Sequence, residues 1–262
     1  GSVEAFLSAV GGERKELEVQ GPFGERVPAF YGLLDGGRTG VIEMAACAGL
    51  PLAQGRLDPA RASTYGVGQL LVHAVEQGCE KIILGLGGSC TNDGGCGAAA
   101  AAGARFFRAN GESFVPTGGT LGEIAQVDVG ELRKKFQGVE LIAMCDIDNP
   151  LYGKTGAAYV FGPQKGADPA LVELLDQNLQ GLERAVKKSL GVDLAQMPGA
   201  GAAGGMGYGM AALFGAKLQP GIDTVLDTVG FDGLVKGADL VFSGEGRLDS
   251  QSLGGKVVDG VA

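Results

Sequence analysis

Apolar positions along the chain change period several times, and each change predicts a different element. Over residues 16–45 they fall in three short runs, Glu16-Leu-Glu-Val-Gln20, Val27 to Leu34 and Thr39 to Ala45. Gly21-Pro-Phe-Gly24 and Asp35-Gly-Gly37 separate these runs, so the segment reads as a β-meander. From Gly66 the spacing lengthens to three and four residues, through Val67, Leu70, Leu71, Ala74, Val75 and Gly78. That period predicts a helix over 66–78. Lys81 to Leu84 is a strand of the continuous apolar kind found in parallel sheets, and a helix is expected from Asp93 to Phe107.

Residues 108–128 read as loop, 130–136 as helix, and Val139 to Cys145 as a second buried strand ending in Asp146-Ile-Asp-Asn-Pro150. The longest helix is expected over 169–190, with Leu171, Leu174, Leu175, Leu179, Leu182 and Val186 on one face. Ala200 to Gly209 has the most flexible-looking composition, and a short helix is expected over about 210–215. An αβ unit over 222–243 closes the pattern, its strand Ala238-Asp-Leu-Val-Phe-Ser243 expected to be short and buried. Strands alternating with helices define an α/β fold.

Composition narrows the function classes. The chain has 262 residues, 45% of them apolar, enough for one large or two ordinary domains. Its 49 glycines point to close helix–sheet packing and backbone-lined loops. A net charge of −9 and the absence of any long Lys/Arg cluster argue against nucleic acid. No apolar run is long enough to span a bilayer, and no signal peptide is read at the start. Five cysteines with no CxxC pair fit a reducing, cytoplasmic setting and read as small core residues. His73, the only histidine, reads as a helix-surface or satisfied half-buried residue; Lys154 and Lys165 stand in loops that could face a ligand, although single loop lysines are usually solvated.

Three loops carry candidate chemistry. Leu84-Gly-Leu-Gly-Gly-Ser-Cys-Thr-Asn-Asp93 follows a strand and precedes a helix, the placement that a phosphate site needs. It is neither a P-loop nor a dinucleotide fingerprint, and its candidate ligand residues are Gly85, Gly87, Gly88, Ser89, Thr91, Asn92 and Asp93. Ser89, Thr91 and Asn92 could equally cap the helix. Asp146 and Asp148 stand at the end of a buried strand, with spacing that suits Mg²⁺ or an Asx turn before Pro150. The densest polar cluster is Ser243-Gly-Glu-Gly-Arg-Leu-Asp249, which offers Ser243, Gly244 and Gly246 as ligand-facing backbone. It also offers Glu245 and Asp249 as acid/base or metal groups, and Arg247 as an anion fork.

Taken in order, these blocks resemble the bacterial-type (type I) glycerate kinases. The resemblance rests on Ile42-Glu-Met-Ala-Ala46, Ser63-Thr-Tyr-Gly-Val-Gly68, Leu84 to Gly95, Asp146-Ile-Asp-Asn-Pro-Leu151, Gly156 to Lys165, Gly201-Ala-Ala-Gly-Gly-Met-Gly207 and Ser243 to Gln251. It implies phosphorylation of D-glycerate, at the 2-position, with ATP as co-substrate and Mg²⁺ as cofactor. It also implies two α/β domains, one of them Rossmann-like and discontinuous. Residues 1–222 would then be the larger central domain and 223–262 part of the Rossmann-like one.

Within that reading Asp249, Arg247 and Glu245 are the expected catalytic residues, with Asp146 and Asp148 on the metal side. The family's opening Asp-Ser-Phe-Lys-Gly and Asp-Gly-Gly-Glu-Gly segments do not occur here, and both ends of the chain read as cut within helices. The expectations that follow are an exposed sheet edge, a homodimer covering it, and weak turnover. Two rivals stand beside the kinase: a non-catalytic module binding small acids, and an NAD(P)-dependent oxidoreductase using Gly85–Gly88. The second lacks an acidic residue at the end of a following strand.

Overall fold

A computed structural model of the chain describes residues 2–242, 244 and 261. Its centre is a six-stranded sheet in the order β1-β2-β3-β4-β8-β9. The strands are β1 (Glu13–Gln20), β2 (Arg26–Leu34), β3 (Thr39–Glu43), β4 (Lys81–Gly85), β8 (Glu140–Met144) and β9 (Lys217–Gln219). β1, β2 and β3 pair antiparallel, as the meander predicts; β3, β4, β8 and β9 run parallel. Between β4 and β8 the chain builds a small antiparallel sheet, β6-β5-β7, from β5 (Arg105–Phe107), β6 (Ser113–Phe114) and β7 (Gln126–Asp128).

Period-two alternation sorts the central strands between two cores. Val41 and Ile83 face one side, under helix α1 (Ser2–Val10), which contributes Val3 and Phe6. Ile42, Ile82 and Leu84 face the other side and join the main core. Covering both faces is why β4 reads as an unbroken apolar run. The short helix α2 (Ala45–Ala48) follows β3, and α3 (Tyr65–Glu76), which leads into β4, overlaps the helix predicted over 66–78. His73 is half-buried, its Nδ1 2.9 Å from the Tyr31 hydroxyl, as expected of a satisfied helix histidine. All five cysteines are unpaired, and four are buried.

Several expectations need correction. The helix expected over Asp93 to Phe107 is only α4 (Cys96–Ala101). Gly103, at φ +111°, turns the chain out of the helix, and Arg105–Phe107 becomes β5, paired to β7 with an Arg105–Asp128 ion pair. The expected loop over 108–128 accordingly contains β6 and β7. Helix α5 (Gly130–Lys135) precedes β8, and α6 (Ala157–Phe161) follows it. Helix α7 (Pro169–Leu190) starts where expected, with the Asp168 carboxylate accepting from the Leu171 N–H at 2.8 Å. Its buried stripe runs through Val172, Leu175, Leu179, Leu182 and Val186, while Leu174 is exposed.

Residues 200–209 are the opposite of flexible-looking. Segment α8 (Ala202–Gly209) is almost wholly buried, passes through left-handed Ala203, Gly204 and Gly205, and leads into a π-helical turn, Met210–Phe214. Beyond β9 come α9 (Gly221–Val229), packed on α1, and α10 (Phe231–Leu234). The buried strand expected over 238–243 is not formed by its described residues: Leu240 is 69% exposed and Phe242 90%. A strand needs a hydrogen-bonded neighbour and a covering layer, and no described strand pairs with this segment.

Candidate active site

The site lies at the carboxyl ends of β4 and β8, where open parallel sheets gather their ligands. A cleft of about 260 Å³ opens there. Its walls are Gly87-Gly88-Ser89 after β4, Met144 to Ile147 after β8, Phe161, Gln164 and Lys165 after α6, and Ala202-Ala203 of α8. Leu50 and Leu86 complete the lining.

The glycine-rich loop is held from behind. Gly85 O accepts from Met44 N at 3.0 Å, Gly88 O from Leu50 N at 2.9 Å, and Ala48 O from Cys90 N at 2.9 Å. Only its first half faces the cleft. Thr91, Asn92 and Asp93 are fully buried beneath it.

Asp93 is an internal tie. Its carboxylate accepts from Thr64 N (2.8 Å), Thr64 Oγ1 (2.9 Å), Gly95 N (3.2 Å) and Gly97 N (3.2 Å). Burial raises its pKa above the ordinary carboxylate value, and these donors pull it partly back. Ala98 N in turn donates to Thr64 Oγ1 at 2.9 Å. The expectation that the helix after the loop aims free N–H groups at a ligand therefore does not hold for α4. Asp93 and Thr64 already occupy the N–H groups of Gly95, Gly97 and Ala98.

For Lys165 the structure rejects the solvated reading and leaves the ligand-facing one. The residue is 1% exposed, not solvated, and its Nζ donates to Ser89 Oγ at 3.0 Å and to Thr91 O at 2.7 Å. Burial lowers its pKa to about 8, while Cys90 and Asp93 nearby act in the opposite sense. Cys90 is no thiolate nucleophile, because burial pushes its pKa up to about 11. Beneath the loop, Thr91 Oγ1 and both amide atoms of Asn92 have no protein partner.

Asp146 lines the cleft, and its Oδ1 accepts from Gly221 N at 2.7 Å, at the start of α9. A carboxylate there also suits the helix dipole. Asp148 is exposed and outside the lining. Among the described residues no group of three or more His, Cys, Asp or Glu could hold a metal. Mg²⁺ does not require one, since it takes one or two carboxylates and completes its shell with water and substrate phosphates. Asp146, with Oδ2 uncommitted to Gly221, fits that role. Gly244 is exposed; Ser243, Glu245, Gly246, Arg247 and Asp249 lie outside the described residues.

Fold and cleft together describe an α/β protein whose parallel strands end at a small cleft with a buried lysine in its wall. A family model described as the glycerate kinase family matches residues 1–262, and the chain belongs to that family. It is 48% identical to a glycerate kinase of Halalkalibacterium halodurans, over 100% of this chain and 69% of the relative. Identity to the glycerate 2-kinase of Escherichia coli strain K12 is 43%, with the same coverage. A solved chain from Salmonella typhimurium LT2, provisionally named glycerate kinase 2, superposes with a TM-score of 0.92 at 44% identity. That alignment covers 99% of this chain and 70% of the other.

Proposed function

We propose that this family member transfers the γ-phosphoryl group of ATP to the 2-hydroxyl of D-glycerate in a Mg²⁺-dependent reaction. One observation carries the reading. Gly87–Ser89, Asp146–Ile147, the trio Phe161, Gln164 and Lys165, and Ala202–Ala203 belong to four separate sequence blocks of the family resemblance, and all four line one cleft. That blocks spread over more than a hundred residues meet at one cleft supports it as the site.

Phosphoryl transfer asks the protein for positioning and charge neutralisation more than for covalent chemistry. Gly87 and Gly88 leave the loop backbone open to close approach by an anionic ligand. Asp146 would hold Mg²⁺, which supplies charge neutralisation at the transferring phosphate. From residue chemistry, Asp249 is assigned to orient or deprotonate the acceptor hydroxyl, Arg247 to hold an anion, and Glu245 to share the metal side with Asp146. The loop backbone at Ser243, Gly244 and Gly246 is assigned to the ligand on the same ground. Five unpaired cysteines support a reducing, cytoplasmic place of action. The division into a central domain to residue 222 and a Rossmann-like part from 223 belongs to the same proposal.

The test is ³¹P NMR of the product formed from ATP, Mg²⁺ and D-glycerate. The reading expects a 2-phosphoglycerate resonance. A 3-phosphoglycerate signal would overturn the position, and ATP consumption indifferent to glycerate would overturn the substrate.

A further inference from the structure

Lys165 brings a positive charge into the wall of the cleft, and among the described residues no carboxylate pairs with it. The side chain is 1% exposed and its ammonium has three donors, of which Ser89 Oγ (3.0 Å) and Thr91 O (2.7 Å) occupy two. Both acceptors are neutral. The titratable groups facing it are Cys90 and Asp93. Cys90 is protonated at neutral pH, and the Asp93 carboxylate is taken up by Thr64, Gly95 and Gly97. Among the described residues the Lys165 ammonium takes part in no ion pair within 4.0 Å. A buried charge without a partner is costly, and chains keep such groups where a ligand completes them.

The surroundings narrow the ligand. The cleft holds about 260 Å³, room for a three-carbon acid beside the Lys165 wall. Ala203, on the same wall, is held at φ +54°, a left-handed backbone that a non-glycine residue adopts only when its surroundings impose it.

Resting on the glycerate kinase reading, we propose that the Lys165 ammonium, braced by Ser89 and Thr91, binds the carboxylate of the acceptor acid. It thereby sets the preference for a hydroxy acid over a neutral polyol. A phosphate of the nucleotide has the same anionic chemistry, so the experiment separates the two.

Glycerate and Mg-ATP are titrated separately, by thermal shift and steady-state kinetics, against the protein and its Lys165→Met variant, which keeps the stem and loses the charge. The expected result is a glycerate KM raised roughly 10- to 150-fold, the range for a lost hydrogen bond to a charged group, with the Mg-ATP KM unchanged. Loss of Mg-ATP binding with glycerate binding intact would move Lys165 to the nucleotide and overturn the assignment. Unchanged responses to both ligands would also overturn it. If the unmodified protein binds no glycerate, the kinase reading itself fails, and that outcome is visible without the variant. Should the variant not fold, ¹³C-lysine NMR of the unmodified protein decides. D-glycerate should raise the Lys165 titration midpoint from about 8 by at least about one unit, and glycerol should not. A midpoint indifferent to saturating glycerate refutes the proposal.

Discussion

Gly204→Ala should be among the most damaging single-methyl changes in the molecule, and the structure says by how much. Gly204 has φ +69°, and a Cβ built there would lie 2.0 Å from Thr91 O and 2.6 Å from Asn92 Cα. Both neighbours are backbone and cannot swing aside. The left-handed conformation costs an alanine about 1–2 kcal/mol. Forcing two packed segments apart adds roughly 1–3 kcal/mol, so the total is about 2–5 kcal/mol. Measured against a typical stability of about 5–15 kcal/mol, that is a large fraction. At roughly 2–4 °C per kcal/mol for a chain of this size, Tm should fall by about 4–20 °C. Gly215→Ala is the matched control, because its φ is +75° and nothing lies within 4 Å of the added methyl. It should cost the backbone term alone, about 1–2 kcal/mol. Urea unfolding followed by circular dichroism on both variants isolates the close approach. Thr91 O also anchors Lys165 Nζ at 2.7 Å, so only the Gly204 variant should also weaken glycerate binding. Losses equal within about 0.5 kcal/mol would refute the packing argument.

Asp146→Asn keeps an acceptor for Gly221 N and removes the charge. It should leave Tm nearly unchanged while raising the Mg²⁺ concentration for half-maximal activity by roughly tenfold or more, and unaltered Mg²⁺ dependence would reduce Asp146 to a cap of α9. Asp249→Asn should lower kcat by at least ~10²-fold, and near-normal turnover would remove Asp249 from the mechanism. Folding moves the Lys165 pKa from 10.5 to about 8, so between those values the unfolded chain holds the extra proton. Stability should therefore rise with pH across that window, by up to on the order of 3 kcal/mol. The pH slope of Lys165→Met, read from urea midpoints, should lack that contribution; identical slopes would contradict it.

The parallel strands β4 and β8, with α3 and α7, were legible because their signals are local: an unbroken apolar run for a strand covered on both faces, a 3–4 spacing for a helix against the core. Segments that failed depended on distant partners. Residues 105–107 pair with 126–128, which nothing in an alanine-rich run announces. Residues 201–209 look loose in composition, yet their glycines are there because Thr91 and neighbouring backbone come too close for any side chain. The site divides along the same line. Gly87, Gly88, Ser89 and Asp146, which line the cleft, were readable as candidates because glycine and carboxylate after a buried strand form a local pattern. The burial of Lys165 was not legible, because it is fixed by Ser89 and Thr91, 76 and 74 residues away. For the same reason Asp93, read as ligand-facing, is placed inside by Thr64.

The claim that this cleft serves a glycerate kinase is tested most directly by coupled ADP release, with the protein as its gene encodes it, ATP, Mg²⁺ and D-glycerate. ADP should appear only when all three are present, saturate with D-glycerate, and not respond to glycerol at the same concentration. ADP release that ignores glycerate, or no release while NAD(P)⁺ is reduced in its place, would contradict the account.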